Sequence, residues 1–397
     1  MTYTARRMAP GGAPIRRGSL AAISTLALVG TLGACGSAAD DAASGPSDSS
    51  GAYVAKAKKD IEAASAEVTD YPTPGPAINT SSLRGKTFYY VPITIQASSF
   101  KITAEAMKKA VAPLGIRIQV CDGGASPDKA AACVNEATKV RAAGIISDAL
   151  PYALAANAFD AAKKNGIPIL ISNQPAPAGY KNDDQLSYYL GNPIKMMQIA
   201  AEWIVADSGG KAKVVVNEYT DSPDTKRYME DYGLKILRKD CPDCTTAVNE
   251  VSSANFSMIP SSTSSILLKN PDANYFFNQY DTSIQPAMAG IQQANAKQRL
   301  KGVSTNGLLG SLQLLKRKNF LYADVASHYN YAAYSLIDFA MRMALKSELP
   351  TDLTVPVRLI TSDNVGTLGL TAGAEASGEW FGPTTYKKMF AGLWAGK

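Results

Sequence analysis

The chain contains five cysteines, and two of them form a CxxC motif, Cys241-Pro-Asp-Cys244. Such a pair performs thiol–disulfide exchange when its first thiol lies at a helix N-terminus, which stabilises the thiolate. Here the pattern predicts a helix before Cys241 and a strand after Cys244, so the first thiol lies at the negative end of a helix dipole. We therefore favour a local structural disulfide over redox catalysis.

Cys121 and Cys133 form a second candidate pair. Cys121 ends a predicted strand, and Cys133 lies on the next helix with Ala137 and Val140 on the face expected to pack on the sheet. A disulfide between them is geometrically natural. A four-cysteine zinc site is disfavoured, because only one pair has ligand spacing and no histidine completes the set. We expect the single histidine, His328, to be structural rather than a ligand or a pH switch.

Cys35 stands apart from these four, at the end of an apolar segment. Residues 18–31 are apolar or small, follow several arginines, and fall short of the roughly 17 to 25 residues that span a bilayer. This pattern is typical of a secretion signal. Leu32-Gly33-Ala34-Cys35 then matches the lipobox of bacterial lipoprotein precursors, in which the cysteine is acylated and becomes the new N-terminus. The sequence thus predicts a signal peptide over 1–34 and a lipid on Cys35 that anchors the protein to the outer face of the cell membrane. Both the general secretory route and the twin-arginine route remain open.

Composition excludes several classes of function. The chain has 397 residues and 46% hydrophobic content, enough for a large core. The net charge is +6, but four of the arginines precede Cys35: Arg6, Arg7, Arg16 and Arg17. The remainder is nearly neutral, so no nucleic-acid-binding surface is expected. No nucleophile–base arrangement, phosphate loop, HExxH motif or carboxylate pair stands out, so we expect a binding protein without a metal or cofactor rather than an enzyme.

The elements downstream predict an α/β fold. Residues 36–51 lack large apolar side chains and predict a flexible tether, and a short helix follows before the prolines of "YPTPGP". From Lys86, β-branched runs alternate with helical patterns through "IPILIS", and the rhythm restarts at Asn192-Pro193, a predicted helix N-terminus. We expect two doubly wound parallel-sheet lobes. Ligands of such sheets bind beyond the carboxyl ends of the strands, which here are followed by residues 96–100, 148, 173–174, 219–224, 279–281 and 305–307.

Four segments, in order, carry a resemblance to a known family: "GIPILISN", "FFNQYDTSIQPAMAGIQQAN", "KGVSTNG" and "VPVRLITSDNV". From about Arg84 to Val365 the chain resembles the type I periplasmic solute-binding proteins of ABC importers, especially the ribose and galactose-like group. The resemblance implies two lobes joined by three crossovers near Gln174, Ser327 and Leu353. The first lobe would comprise 84–174 and 328–352, and the second 175–327 and 353–366. The segment 35–83 would hold the lipidated cysteine, tether and helix, and the extension 367–397 has no predicted role.

The resemblance also implies a set of ligand-binding residues. They match the family's polar and stacking positions at the strand ends: Ser98, Phe100, Asp148, Asn173, Gln174, Tyr280, Asp281 and Asn306. Asp148 lies about two places from the family's aspartate, and Gln174 stands where the family has an arginine. The cleft is therefore expected to be less charged and more aromatic than a pentose-binding site of the family. Each residue also has a local alternative. Phe100 could pack in the core, and Tyr280 could be only half-buried. Asp148 and Asn306 could be turn or cap residues, and Asp281 could cap the next helix.

Three functions follow from these patterns. The leading hypothesis is a monomeric, lipid-anchored receptor that captures a small polar ligand, by default a sugar, and presents it to an ABC permease. The ligand could instead be a nucleoside or an amino acid. A sensor that reports the closed form to a membrane kinase or chemoreceptor would use the same fold, and an exported thiol oxidoreductase would use Cys241 and Cys244.

Overall fold

The computed structural model describes residues 49–351 and 354–396. The predicted signal peptide, the lipid site at Cys35, most of the tether and the crossover expected near Leu353 lie outside these residues. Within them, no helix combines the length and the apolar character that crossing a membrane requires.

Two sheets organise the chain. The first contains β1 (Thr87–Pro92), β2 (Arg117–Val120), β3 (Gly144–Asp148), β4 (Ile169–Ser172) and β5 (Leu186–Tyr189), in the order β2-β1-β3-β4-β5. The second contains β6 (Lys213–Tyr219), β7 (Thr245–Val251), β8 (Tyr275–Asn278), β9 (Lys301–Asn306), β10 (Leu321–Ser327) and β11 (Val357–Thr361), in the order β11-β10-β9-β8-β6-β7. All neighbouring strands are parallel except β10 and β11. The predicted α/β class with two doubly wound lobes is confirmed.

Helices cover these sheets on both faces. In chain order they are α1 (Ser49–Ser65), α2 (Ser98–Val111), α3 (Pro127–Lys139), α4 (Ala156–Lys164), α5 (Pro193–Ser208), α6 (Pro223–Tyr228), α7 (Ile259–Lys269), α8 (Ile284–Gln293), α9 (Leu309–Lys316), α10 (Tyr329–Leu345), α11 (Ala372–Ser377) and α12 (Tyr386–Trp394). α6 continues as π-helical turns over Met229–Leu234 and Ile236–Asp240. Because helices bury both faces, a central strand such as β3 is buried along its whole length.

The lobe boundaries follow from the sheets and their packing. β5 pairs with β4, so the chain leaves the first sheet after Tyr189, later than the expected crossover near Gln174. The segment between β4 and α5 resembles a long loop in sequence, so the short strand "LSYY" within it and its pairing with β4 were not predicted. The next crossing comes between β10 and α10, at Ser327 and His328, and α10 packs in the first lobe against α2.

The flanking segments add further crossings. α1 packs on α5 and β11 of the second lobe, and the chain then enters the first-lobe core at Tyr71 and Ile78. Beyond β11, α11 lies in the core of the second lobe and α12 in that of the first. The segments outside the family resemblance therefore also connect the lobes.

A buried ion pair ties three of these segments together. Arg342 and Asp338 on α10 are fully buried, with 2.8 Å between Nε and Oδ2. The Arg342 guanidinium also donates to the carbonyl of Pro76 at 2.8 Å, and Trp394 Nε1 of α12 donates to Asp338 Oδ1 at 2.8 Å. The pair thus joins the N-terminal segment, α10 and the C-terminal helix.

Both expected disulfides are present. Cys121 bonds to Cys133, which joins the end of β2 to α3, and Cys241 bonds to Cys244. Cys241 follows the helical turns and precedes β7, as predicted, and it is 1% exposed. Such burial is typical of a structural pair and not of a reactive one. Val140 does not share the packing face of Cys133: α3 ends at Lys139, and Val140 is 55% exposed.

Candidate functional site

A cavity of about 160 Å³ lies between the lobes, at the carboxyl ends of strands from both sheets. Six of the eight predicted ligand residues line it: Phe100, Asp148, Asn173, Gln174, Tyr280 and Asn306. They come from five segments of the two lobes, since Asn173 and Gln174 are neighbours, and the fold brings these segments together because parallel strands end at one edge of each sheet.

Asp148 organises the first-lobe wall. Its carboxylate accepts hydrogen bonds from Tyr90 Oη at 2.5 Å, Ser172 Oγ at 2.8 Å and Asn173 Nδ2 at 2.7 Å. Burial raises the pKa of Asp148, and these three donors oppose that shift. Since both carboxylate oxygens already have protein donors, Asp148 mainly orients Asn173 towards the cavity.

Gln174 presents an unpaired acceptor. The residue is 3% exposed and lines the cavity, yet its Oε1 is buried and has no hydrogen-bond partner in the protein. An unpaired buried carbonyl costs free energy that a donor from a ligand would recover. Gln174 therefore points to a ligand with hydrogen-bond donors.

Tyrosine rings and an amide form the second-lobe wall. Tyr280 packs against Tyr219 with ring centroids 5.4 Å apart, and both line the cavity. Burial raises the pKa of Tyr280, which therefore stays a neutral phenol. Asn306 Oδ1 accepts from the Asp281 amide at 3.2 Å, while its Nδ2 donates to Tyr329 Oη on α10. The latter bond spans the lobes.

Ser98 and Asp281 are not among the residues that the structure brings to the cavity wall. Ser98 begins α2 and is exposed, and its neighbour Ser99 lines the cavity instead because successive helical residues point in different directions. Asp281 lies behind the wall, where Oδ2 accepts from the Leu308 amide at 2.8 Å, and burial raises its pKa to about 6. Asp281 therefore does not cap the next helix, α8, which was its predicted alternative role, but binds an amide immediately before α9.

Several lining residues were not predicted. Tyr189 belongs to the overlooked strand β5, Tyr228 to α6, and Met196 and Leu336 to α5 and α10. Helical residues carry no strand-end signal, so sequence reasoning had no means to find them. The lining residues that the structure describes include no lysine, arginine or histidine. The cavity is thus aromatic and amide-rich, without a cation.

The hinge, which is formed by the chain segments that cross between the lobes, lies beside this cavity. α5 begins at Pro193 as predicted, but Asn192 does not cap it: its Nδ2 donates to the Val355 carbonyl at 3.2 Å, and its Oδ1 accepts from Ser327 Oγ at 3.2 Å. Asn192 therefore links the crossovers to one another. His328 is fully buried beside them, and burial lowers its pKa to about 3, so it is neutral. Its Nδ1 accepts from the Tyr331 amide at 3.4 Å, which is consistent with the expected structural role.

Comparison with known proteins identifies this architecture. The periplasmic binding protein domain matches residues 88–348, well over half of the chain. The chain belongs to the periplasmic binding protein family. This family consists of binding proteins rather than enzymes, which agrees with the expected absence of catalysis. No curated protein sequence matches the chain.

Solved structures share the fold of this periplasmic binding protein. A 5-methylthioribose transporter solute-binding protein from Thermotoga lettingae has a TM-score of 0.67 at 14% identity, and the match covers 80% of this chain and 98% of that one. A glucose-galactose binding protein from Geobacillus stearothermophilus has a TM-score of 0.62 at 17% identity, covering 70% and 98%. An ABC transporter solute-binding protein from Mycobacterium smegmatis with bound glycerol has a TM-score of 0.64 at 15% identity, covering 71% and 96%.

The two lobes of the binding protein touch across the cavity. Tyr228 Oη of the second lobe donates to the Asn173 carbonyl of the first at 3.3 Å, alongside the bond between Asn306 and Tyr329. Such contacts exist only when the lobes are together, so the structure represents a closed arrangement.

Proposed function

We propose that this protein is a monomeric, lipid-anchored extracytoplasmic receptor that captures an uncharged sugar or polyol between its lobes and delivers it to an ABC permease. The observation that carries the proposal is the cavity between the lobes, whose described lining combines tyrosine rings with amide side chains and includes no lysine, arginine or histidine. The ligands named for the structural neighbours, glucose-galactose, 5-methylthioribose and glycerol, are also uncharged.

The chemistry of the cavity supports an uncharged hydroxylated ligand. Aromatic faces such as Tyr280 and Phe100 can cover the C–H face of a sugar ring, while Asn173 and Gln174 pair with its hydroxyls. An anionic ligand would lack a countercharge. The two aspartates that line the cavity offer few free acceptor sites to a ligand, because Asp148 already accepts from three protein donors and Asp221 accepts from Ser253.

Ligand capture follows from population shift. A ligand that contacts both walls does so only when the lobes are closed, so binding favours the closed form by that difference in affinity. The permease would then receive the closed form.

A thermal-shift screen tests this function. In the soluble fragment lacking residues 1–35, we expect at least one neutral monosaccharide or polyol to raise the midpoint of unfolding, because a ligand that binds only the native state stabilises it. The matching sugar phosphates should give no shift. Stabilisation by an amino acid, a nucleoside or only the phosphorylated sugars would contradict the proposed ligand class.

The anchor is tested in cells. Replacing Cys35 with serine should move the protein from the membrane fraction to the soluble fraction, because the acylated thiol is lost. Ser37→Ala, a nearby change that keeps the thiol, should leave the protein in the membrane fraction. Fractionation followed by immunoblotting measures the effect, and a Cys35→Ser protein that stays with the membrane after removal of its signal peptide disproves lipid anchoring through this residue.

A further inference from the structure

The C-terminal extension beyond the family resemblance is anchored on both lobes. Ala374 and Trp380 are buried in the core of the second lobe, whereas Tyr386 and Trp394 are buried in that of the first. Residues 382–385 join the two parts. The extension therefore crosses from one lobe to the other beside the hinge.

Three carboxylates hold the loop that carries Asn306. Consecutive amides donate to them: Gly307 to Asp324 Oδ1 at 3.0 Å, Leu308 to Asp281 Oδ2 at 2.8 Å, and Leu309 to Glu375 Oε1 at 2.8 Å. These amides precede or begin α9, where a helix leaves its N–H groups unpaired and favours negative charge. Gly307 has a φ of +71°, and a Cβ there would lie 2.2 Å from that of Ala326. The loop therefore depends on close packing and on these acceptors.

The origin of the third carboxylate is unusual. Asp281 and Asp324 belong to the body of the second lobe, but Glu375 lies on α11 of the extension. Its main-chain carbonyl also accepts a hydrogen bond from Asn330 Nδ2 at 2.9 Å. Asn330 lies in the first turn of α10, which packs in the first lobe. Glu375 thus contacts both the loop that carries Asn306 in the second lobe and helix α10 in the first lobe.

The extension also packs directly on the hinge. The ring of Phe381 stacks on His328 with centroids 4.2 Å apart. Gly378 has a φ of +77°, and a Cβ at this position would lie 2.7 Å from His328 Cε1. A movement of the hinge must therefore also displace the turn that follows Glu375.

We propose that Glu375 is a positioning residue of the binding site. Its side chain keeps the loop that carries Asn306 ordered, and its carbonyl keeps the extension bound to Asn330 of the first lobe. Glu375 thereby couples the order of this loop to the closure of the lobes. The proposal rests on the proposed function for the nature of the ligand only. The contacts between the loop and the extension join protein groups only.

Hydrogen exchange of the ligand-free soluble fragment tests the positioning role. In Glu375→Ala, the Leu309 amide should exchange about tenfold faster, because it loses a charged acceptor. Glu375→Gln keeps an acceptor and should restore most of the protection. Glu379→Ala is the matched control, since Glu379 lies on the same extension and bonds to Ser377 instead. If the Leu309 amide exchanges at the wild-type rate in the Glu375→Ala variant, the proposal is overturned.

A second variant tests the coupling between the lobes. Asn330→Ala does not touch the loop, yet it should also accelerate exchange at Leu309 several-fold, because it removes the hydrogen bond that holds Glu375 of α11 to α10 of the first lobe. A purely local cap would leave that amide unchanged, and this result would reject the coupling. Both measurements are made without sugar, so a failed sugar screen would reject the proposed ligand class without deciding the role of Glu375.

Discussion

Replacing Arg342 with methionine should lower the free energy of unfolding by about 3 to 5 kcal/mol. The reason is the carboxylate that remains. Asp338 is fully buried, and without the guanidinium Trp394 Nε1 would be its remaining side-chain donor among the described residues. The variant also frees the carbonyls of Pro76 and Glu348, which Arg342 binds at 2.8 and 3.3 Å. Chemical denaturation of the soluble fragment measures the loss.

Two controls separate charge from packing. Lys388→Met changes an exposed lysine on α12 and should alter stability by less than about 0.5 kcal/mol. Adding Asp338→Asn to Arg342→Met removes the unpaired charge while keeping an acceptor for Trp394, so it should recover much of the loss. If Arg342→Met is no less stable than Lys388→Met, the ion pair does not stabilise the fold.

The same variant should show a characteristic pH dependence. Burial already raises the pKa of Asp338, with Arg342 opposing that shift. Without Arg342, the pKa in the native state rises further above that of the unfolded chain. The native state then binds more protons between the two values, so the stability of the variant falls as the pH rises through this window. Its deficit relative to the wild type should therefore shrink as the pH is lowered.

Replacing Gln174 with methionine should have opposite effects on binding and on stability. Affinity for the sugar or polyol identified by the screen should fall by about 1 to 3 kcal/mol, because a buried acceptor for a ligand hydroxyl is lost. Without ligand, the variant should be at least as stable as the wild type, since Oε1 of Gln174 is buried and unpaired in the protein. Titration calorimetry and denaturation measure the two effects.

Gln119→Met serves as the matched control for this prediction. Gln119 is exposed on the edge strand β2 and does not line the cavity. This variant should change neither affinity nor stability appreciably. Wild-type affinity in Gln174→Met would show that Gln174 does not contact the ligand, and a marked loss of stability would show that its amide serves the fold.

The fold and many of the residues that line the candidate site could be predicted from the sequence for one physical reason. In a parallel sheet, β-branched runs mark the strands, and the residues that follow them must meet at one edge. This logic located Asp148, Asn173, Gln174 and Asn306. It could not find Tyr228 on α6 or Leu336 on α10, because a helical side chain reaches the cavity only through tertiary packing.

The roles of individual polar side chains were harder to predict. Asn192 has the type and position of a helix cap, but its amide binds Val355 of another crossover. Asp281 has the position of a ligand residue, but it holds a loop amide. In both cases the decisive partner is distant in sequence, and a single sequence contains no signal for it.

α1 packs against the second lobe, which determines the lobe that would carry the lipid anchor. Ala57 of α1 is fully buried in the second-lobe core, and Lys56 lies 3.0 Å from Glu202 of α5. α1 is the first described element after the predicted tether, so a lipid on Cys35 would be joined to the protein through the second lobe. Closure would then move the first lobe relative to the lobe that carries the tether.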